Sequence, residues 1–192
     1  ILMTALLSFE GVEKTYRLAP NEFITALSGI ELDVQDGEFI TIVGPSGCGK
    51  TTMLKLTTGL LKPSKGSICV EGNPLEKSHR RLLGMVFQQP ALLPWRKVLD
   101  NVLLPCEIRG QDLGKARIIA EELLDLVGLK DFINRKPWEL SQGMQQRVAI
   151  CRALVFDPRI LLMDEPFAAL DAITRFELTR LLLEIWSVKQ KT

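Results

Sequence analysis

The pattern G-x-x-x-x-G-K-T at residues 44–51 is the strongest indication of chemistry in this sequence. Glycines let the backbone pass close to phosphate oxygens, and successive N–H groups at a helix start present partial positive charge. Lys50 would add a full charge at the β- and γ-phosphates, and Thr51 a hydroxyl ligand for Mg²⁺. The pattern predicts a nucleotide-phosphate loop made of Gly44, Pro45, Ser46, Gly47, Cys48, Gly49, Lys50, Thr51 and Thr52.

Two adjacent carboxylates, Asp164 and Glu165, follow a short apolar run at residues 160–163. That run predicts a buried strand, and α/β sheets place ligands at the carboxyl ends of their strands. Asp164 is expected to hold Mg²⁺ through a water molecule, and Glu165 to act as general base on the attacking water. An ordinary acidic turn before Pro166 is the alternative. Next to a phosphate loop, the pair favours Mg²⁺-dependent hydrolysis of ATP or GTP.

A second anion site is predicted in the sequence Leu-Ser-Gln-Gly-Met-Gln-Gln-Arg at residues 140–147. Ser141 and Gly143 would lie at a helix N-terminus, where backbone N–H groups and a hydroxyl bind anions. One nucleotide does not need two such sites in one small chain. Two copies that pair head to tail, each lending its second site to the other's nucleotide, would use both. A simple N-cap is the alternative for this stretch taken alone.

The elements that must hold these residues are strand-rich up to about residue 90 and helical from 98 to 156. A β-branched apolar run at 39–43 predicts a buried strand that leads into the phosphate loop. Further strands are predicted at 4–9, 12–16, 30–34, 67–70, 83–87 and 160–163, and helices at 53–61, 113–127, 141–155 and 172–188. The helix at 113–127 would bury Ala116, Ile119, Ala120, Leu123 and Leu124. The pattern predicts an α/β core interrupted by a helical insertion.

Composition excludes several classes of protein. The chain has 192 residues, a net charge of +1 at pH 7, one histidine and four cysteines. The near-neutral net charge argues against nucleic-acid binding, because proteins that bind nucleic acids carry an excess of Lys and Arg. With one histidine and no CxxC pair, a zinc site is not expected, and the cysteines are predicted to be reduced thiols. No apolar run reaches the roughly 18–20 residues of a membrane span, so contact with a membrane would come through a partner.

Residues 16–186 resemble the nucleotide-binding subunit of an ABC transporter. The family's Walker A motif matches residues 44–51, its signature motif 140–147, and its Walker B motif 160–165, in the family's order. The resemblance implies an α/β P-loop NTPase core of the ABC ATPase type, with an N-terminal antiparallel β part and an inserted helical subdomain. It implies core segments at 1–97 and 157–192 and the helical subdomain at 98–156, all within one ABC ATPase domain.

The resemblance also implies roles for individual residues. Gln88 matches the Q-loop glutamine, which contacts Mg²⁺ and the attacking water, and Tyr16 matches the aromatic residue that stacks on adenine. Asp171, in the D-loop at residues 169–171, is expected at a dimer interface. The catalytic residues are then Glu165, Gln88 and Lys50, and the Mg²⁺ ligands Thr51, Gln88 and Asp164. Ser141, Gly143 and Gln145 of one protomer would contact the ATP held by the other.

Residues 88–102, 144–147 and 184–186 are similar to importers of nitrate, sulfonate, taurine or bicarbonate. This similarity implies an ATP-hydrolysing subunit that energises uptake of a small anion. Its partners would be a second ABC ATPase protomer, identical or homologous, transmembrane permease subunits and, indirectly, a periplasmic or extracellular solute-binding protein. The chain would lie at the cytoplasmic face of a bacterial plasma membrane. Trp95 is either an exposed anchor for the permease or a buried aromatic residue of the helical insertion.

Two features depart from the family pattern. Gln142 stands where the signature motif commonly has glycine, and a longer side chain there would weaken closure of a dimer. No histidine follows the predicted helix at 172–188, where the family has a switch histidine, and His79 is expected to be a surface residue. The expectation is a domain without its usual C-terminal part. A non-transport ABC ATPase, or an ATP-dependent dimerisation module with weak hydrolysis, remains the alternative.

Overall fold

A computed structural model describes residues 5–168 and 170–189, without the side chains of Leu181 and of residues 184–189. Thr4, predicted to begin a strand, and Ala169 of the predicted D-loop therefore lie outside the described residues, as do the side chains of residues 184–186. The chain forms two compact units, one made by residues up to Leu83 and the other by residues from Gly84 on. The division into core segments and a helical subdomain at residues 97 and 156 stays a prediction.

The first unit is built on an antiparallel sheet of four strands in the order β2-β1-β3-β4. Strands β1 (Leu7–Ala19) and β2 (Glu22–Val34) form a long hairpin, and β3 (Lys65–Val70) and β4 (Asn73–Pro74) extend the sheet beyond β1. The two strands predicted at 4–9 and 12–16 are thus one strand. Its inward side chains are buried and form the core of this unit with those of β3; they include Leu7, Phe9, Val12, Ile68 and Val70.

The predicted strand at residues 39–43 is wrong. The segment belongs to neither sheet of the described chain, and its apolar side chains are exposed, up to 88% for Val43. β-branched residues favour extended backbone, but a strand forms only where a neighbouring strand takes up its ladder of N–H and C=O groups. The helix after the phosphate loop, α1 (Lys50–Thr57), is present, but it begins three residues and ends four residues before the predicted range of 53–61.

The second unit is mainly helical, as the pattern from residue 98 to 156 predicts. It contains α2 (Val98–Ile108), α3 (Leu113–Leu126), α4 (Gln142–Leu154) and α5 (Ala172–Lys189). Strands β5 (Leu83–Val86) and β6 (Ile160–Met163) form a two-stranded sheet. Short 3₁₀ helices lie at Lys77–Leu82 in the first unit and at Lys130–Phe132 and Pro137–Glu139 in the second. The predicted class, α/β with an antiparallel N-terminal part and a helical subdomain, is confirmed.

The core of the second unit lies among α2, α3 and α4. Four of the five residues predicted for the apolar face of α3 are buried there, but Ile119 is exposed, because the contact with the neighbouring helices is narrower than the stripe of apolar residues. All four cysteines, which lie within the described residues, are free thiols as predicted. Burial raises the pKa of Cys151 to about 12. Within the described residues, no helix combines the length and hydropathy needed to cross a bilayer.

Candidate nucleotide-binding site

The loop before α1 has a backbone that glycine alone fits well. Gly49, the N-cap of α1, has φ +101°, and a Cβ at this position would lie 2.7 Å from the carbonyl oxygen of Ala26. Gly47 has φ +82° and no neighbouring heavy atom within 4 Å of an added Cβ. Side chains rarely adopt these angles, so the sequence Gly-x-Gly-Lys is what turns the chain into the helix. The loop therefore presents bare backbone in front of a helix N-terminus, which is the form an anion site takes.

The ammonium group of Lys50 lies over this loop. Its Nζ donates hydrogen bonds to the carbonyl oxygens of Gly44 at 2.9 Å and Pro45 at 3.1 Å, and it lies 4.0 Å from Sγ of Cys48. The Cys48 N–H donates to the Pro45 carbonyl at 3.3 Å, which closes the turn beneath it. The loop thus carries a full positive charge, the Lys50 ammonium. Its present hydrogen-bond partners are backbone carbonyl groups, and the oxygens of a bound phosphate could take their place.

Tyr16 lies next to the first turn of α1. Its hydroxyl oxygen is 3.3 Å from Oγ1 of Thr52, and the Lys14 ammonium lies 5.4 Å from the centre of its ring. The ring is half-buried. The fold thus brings the predicted adenine-stacking residue to the helix that follows the phosphate loop, within the first unit.

Strands β5 and β6 bring the other two segments that are predicted to be catalytic together in the second unit. The N–H of Asp164, directly after β6, donates to the carbonyl of Val86, the last residue of β5, at 3.0 Å. Gln88 follows two residues later and is exposed. The predicted Q-loop glutamine and the acidic pair therefore begin from neighbouring strand ends.

Glu165 has a left-handed backbone, with φ +45°. This conformation is uncommon outside glycine and strained, so it persists only where the surrounding chain holds it. The Glu165 carbonyl accepts a hydrogen bond from the Ala168 N–H at 3.1 Å, which closes the turn that follows β6. The strain sets the direction in which the predicted general base leaves the strand.

The signature segment forms the start of α4 as predicted. Ser141 is the N-cap, and its Oγ accepts a hydrogen bond from the Met144 N–H at 3.3 Å. Gln142 is exposed and Gly143 is buried. The Gln145 amide donates to the carbonyls of Pro137 at 2.9 Å and Leu140 at 3.2 Å, so it also holds the turn before the helix. Ser141 can act as the N-cap while the start of α4 also binds an anion, because a capped helix keeps its dipole.

Asp171 caps the first turn of α5. Its Oδ1 accepts from the N–H groups of Ile173 at 3.1 Å and Thr174 at 3.0 Å, and its Oδ2 accepts from the Thr174 hydroxyl at 2.6 Å. These hydrogen bonds, above all that from the hydroxyl, hold the pKa of Asp171 below its usual value. The residue predicted for a dimer interface thus has a structural role within its own chain.

The loop after Gln88 carries Trp95, which is 68% exposed. This exposure favours the prediction of an exposed anchor over that of a buried aromatic residue. Sequence reasoning missed two of the residues whose side chains hydrogen-bond this loop. Asn101, fully buried in α2, makes hydrogen bonds to Leu93, Arg96 and Lys97. Arg152 of α4 donates to the carbonyls of Ala91 at 2.8 Å and Pro90 at 2.6 Å, and burial lowers its pKa. The one signal available in the sequence was an asparagine within the mostly apolar segment 98–104.

The predicted metal ligands have the donor chemistry that Mg²⁺ prefers. Thr51 of the first unit, and Gln88 and Asp164 of the second, each have a side-chain oxygen, the ligand atom that this ion prefers. In the part of the chain that the structure describes, no three His, Cys, Asp or Glu side chains form a metal-binding group by themselves. His79, expected on the surface, is half-buried, and its Nδ1 accepts a hydrogen bond from the Glu76 N–H at 3.0 Å.

Comparison with known proteins gives consistent matches. The chain is 45% identical over 190 residues to an uncharacterised ABC transporter ATP-binding protein of Methanocaldococcus jannaschii, which covers 99% of this chain and 70% of that protein. It is 41% identical over 186 residues to the taurine import ATP-binding protein of Ruegeria pomeroyi, 97% of this chain and 69% of that one. Across such relatives, the chain spans between 64% and 71% of the relative's length.

A solved structure has the same fold. It is a dimeric post-hydrolysis state of an ATP-binding cassette bound to ADP and Pi, and it aligns with a TM-score of 0.85 at 38% identity over 97% of this chain and 85% of that one. The sequence profile of the ABC transporter family matches residues 27–168. This stretch contains the phosphate loop, the signature helix and the acidic strand. The chain belongs to the ABC transporter family, as an ATPase of the ATP-binding cassette type.

Proposed function

We propose that this chain is the ATP-binding and ATP-hydrolysing subunit of an ABC importer. The observation that carries the proposal is the phosphate loop, in which glycines at positive φ lead into α1 and Lys50 lies over the Gly44 and Pro45 carbonyls. Residues with backbone exposed in this way and a full charge at the loop mouth bind phosphate oxygens. Tyr16, beside Thr52 at the same helix, would stack on adenine.

The chain's residues divide the work of phosphoryl transfer. Lys50 and the start of α1 hold the phosphates, and Thr51, Gln88 and Asp164 would hold Mg²⁺. When bound, the ion neutralises charge that develops on the transferred group. Glu165 accepts the proton of the attacking water, and its left-handed backbone sets the direction in which the side chain leaves the end of β6. Gln88 follows β5 and responds to the γ-phosphate.

A second protomer completes the site. The start of α4, with Ser141, Gly143 and Gln145, presents a helix N-terminus, and this N-terminus would bind the γ-phosphate held by the partner. Asp171 would meet the partner at the same interface. The solved structure described above is dimeric and contains ADP and Pi, which supports this arrangement.

The proposed contact with permease subunits is based on the loop around Trp95, and the proposed solute is based on the relatives. Trp95 is exposed on a loop whose backbone is hydrogen-bonded by buried Asn101 and half-buried Arg152, which suits a docking surface for permease subunits. Several relatives at about 40% identity are named taurine import proteins. Taurine, or an anion such as nitrate, another sulfonate or bicarbonate, is therefore the proposed solute. A solute-binding protein would deliver it, and this subunit would lie at the cytoplasmic face of the membrane.

The test is the ATPase rate per mole of chain, measured against chain concentration with Mg²⁺ and either ATP or GTP. We expect the specific rate to rise with concentration, because each site needs two protomers. A measurable rate that does not change with concentration would contradict the composite site. Absence of both ATP binding and hydrolysis would contradict the function itself.

The solute is tested separately by uptake of labelled taurine, nitrate and bicarbonate. The assay uses cells that carry this subunit with its permease and solute-binding partners, and the matched control carries Glu165→Gln. Uptake of one anion that the control lacks would identify the solute. If none of the three enters in excess of the control, the proposed solute class is wrong while the ATPase result stands.

A further inference from the structure

The starts of α4 and α5 contact each other inside the second unit. Gly143, in the first turn of α4, is buried, and a Cβ there would lie 2.8 Å from Cγ2 of Thr174 in the first turn of α5. Real Cβ atoms essentially never come within 3.0 Å of another heavy atom. The Thr174 methyl group therefore occupies the space that any larger residue at position 143 would need.

The Thr174 side chain is held in this position by its other branch. Its Oγ1 donates to Oδ2 of Asp171 at 2.6 Å, while its N–H donates to Oδ1 of the same carboxylate at 3.0 Å. Hydroxyl and methyl are attached to one Cβ, so a rotation of χ1 that moves the methyl away from Gly143 also takes the hydroxyl away from Asp171. The contact with Gly143 is therefore stiff.

The next turn of both helices repeats the contact. Arg147, one turn after Gly143, forms an ion pair with Glu177 of α5 at 3.0 Å. The same guanidinium donates to the carbonyl of Val127, the C-cap residue of α3, at 3.0 Å. The two helices are thus joined at two successive turns, and the contact of Thr174 lies at the end that faces the predicted anion site.

We propose that Thr174 is a positioning residue that sets the signature segment relative to Asp171 through these two branches. Its methyl group seats α4 at Gly143, and its hydroxyl fixes the aspartate predicted to face a second protomer. Position 143 then requires glycine in part because the Thr174 methyl group fills the space beside it, and this requirement should weaken when that methyl group is removed. The inference rests on the proposed function, since the positioned groups are those that would meet the partner's nucleotide.

The experiment is a double-mutant cycle with two single variants of Thr174 that separate its branches. Thr174→Ser removes the methyl and keeps the hydroxyl, whereas Thr174→Val keeps the shape and removes the hydroxyl. Gly143→Ala is made alone and combined with Thr174→Ser. Three quantities are measured for each variant: ATP affinity of the single chain, the ATPase rate at a chain concentration where the parent's specific rate has reached its plateau, and the thermal midpoint.

Gly143→Ala is expected to lower the ATPase rate by about tenfold or more, with the ATP affinity of the single chain changed less than about twofold. It should lower the thermal midpoint by about 3–8 °C, as overpacking of a buried contact does. Adding Thr174→Ser should restore most of both losses. Thr174→Val should keep the midpoint within a few degrees and lower the rate, because Asp171 loses its hydroxyl donor.

The proposal is overturned if the double variant is as impaired as Gly143→Ala in both rate and midpoint, because glycine would then be needed for another reason. It also fails if Thr174→Val has the parent's ATPase rate. Loss of the proposed function would look different. If the parent chain had no ATPase activity but Thr174→Ser still restored the thermal midpoint of Gly143→Ala, the proposed ATPase function would be wrong. The packing of Thr174 against Gly143 would still hold.

Discussion

The side-chain amide of Asn101 is bonded to both polar groups of one residue eight positions earlier, Leu93. The Leu93 N–H donates to Oδ1 of Asn101 at 2.7 Å, and Nδ2 of Asn101 donates back to the Leu93 carbonyl at 3.1 Å. The same amide reaches the carbonyls of Arg96 and Lys97. A buried side chain thus replaces the regular hydrogen bonds that a loop lacks, and it fixes the backbone on either side of Trp95.

Asn101→Ala should therefore destabilise the second unit. It leaves the Leu93 N–H and several carbonyls without this partner in a buried setting, and we expect the free energy of unfolding to fall by about 2–4 kcal/mol. Urea unfolding followed by tryptophan fluorescence measures this, because all three tryptophans, at 95, 138 and 186, belong to the second unit.

Asn134→Ala is the matched control for this prediction. Asn134 is exposed and has the same side chain, with one hydrogen bond from Lys97 at 3.2 Å. Its loss should change the free energy of unfolding by less than about 0.5 kcal/mol. Equal effects of the two variants would show that the buried amide has no special part in holding the loop.

Local signals in the sequence were enough for several elements of the site. The glycines of the phosphate loop, the N-cap at Ser141 and the apolar run before Asp164 each depend on neighbours within a few residues, so their structures could be predicted. Asn101 and Arg152 could not be assigned in the same way. Arg152 donates to a carbonyl 61 positions away, and no pattern of nearby residues encodes that distance.

The same limit explains the error at residues 39–43 and the missed contact of Thr174. A strand depends on which other strand lies beside it, and β-branched residues report only that extended backbone is acceptable. Gly143 was predicted to contact the ATP held by a second protomer, whereas the structure also places the Thr174 methyl group against it. The spacing of apolar residues within each helix does not show which residues of two helices, about 30 positions apart in the sequence, pack against each other.

Trp95→Ala tests the loop as a docking surface for permease subunits. An exposed indole at the centre of an interface contributes strongly to binding, so co-purification with the permease should fall by at least about tenfold. Trp138→Ala is the control, because Trp138 is 67% exposed against 68% for Trp95 and lies on a different element of the same unit. Permease binding that survives Trp95→Ala unchanged would place the docking surface elsewhere.

Glu165→Gln tests the general base. The substitution keeps the side chain's shape and removes its ability to accept a proton, so the ATPase rate should fall by about 100-fold or more while ATP binding persists. With hydrolysis blocked, Mg²⁺ and ATP should hold two protomers together, and size-exclusion chromatography should show a dimer that the parent does not accumulate. Glu122→Gln, on the exposed face of α3, is the control. Hydrolysis by Glu165→Gln at the parent rate would remove Glu165 from the mechanism.

Lys50→Ala tests the charge in the phosphate loop. The Lys50 ammonium is replaced by a methyl group, so the β- and γ-phosphates lose their charge-assisted donor and ATP affinity should fall by about tenfold or more. Lys55→Ala, in the last turn of the same helix, changes net charge equally and should bind ATP like the parent. Titration with a fluorescent ATP analogue measures both, and the thermal midpoint of each variant shows whether the loop still folds. An unchanged affinity in Lys50→Ala, with the fold intact, would mean that the nucleotide binds elsewhere on the chain.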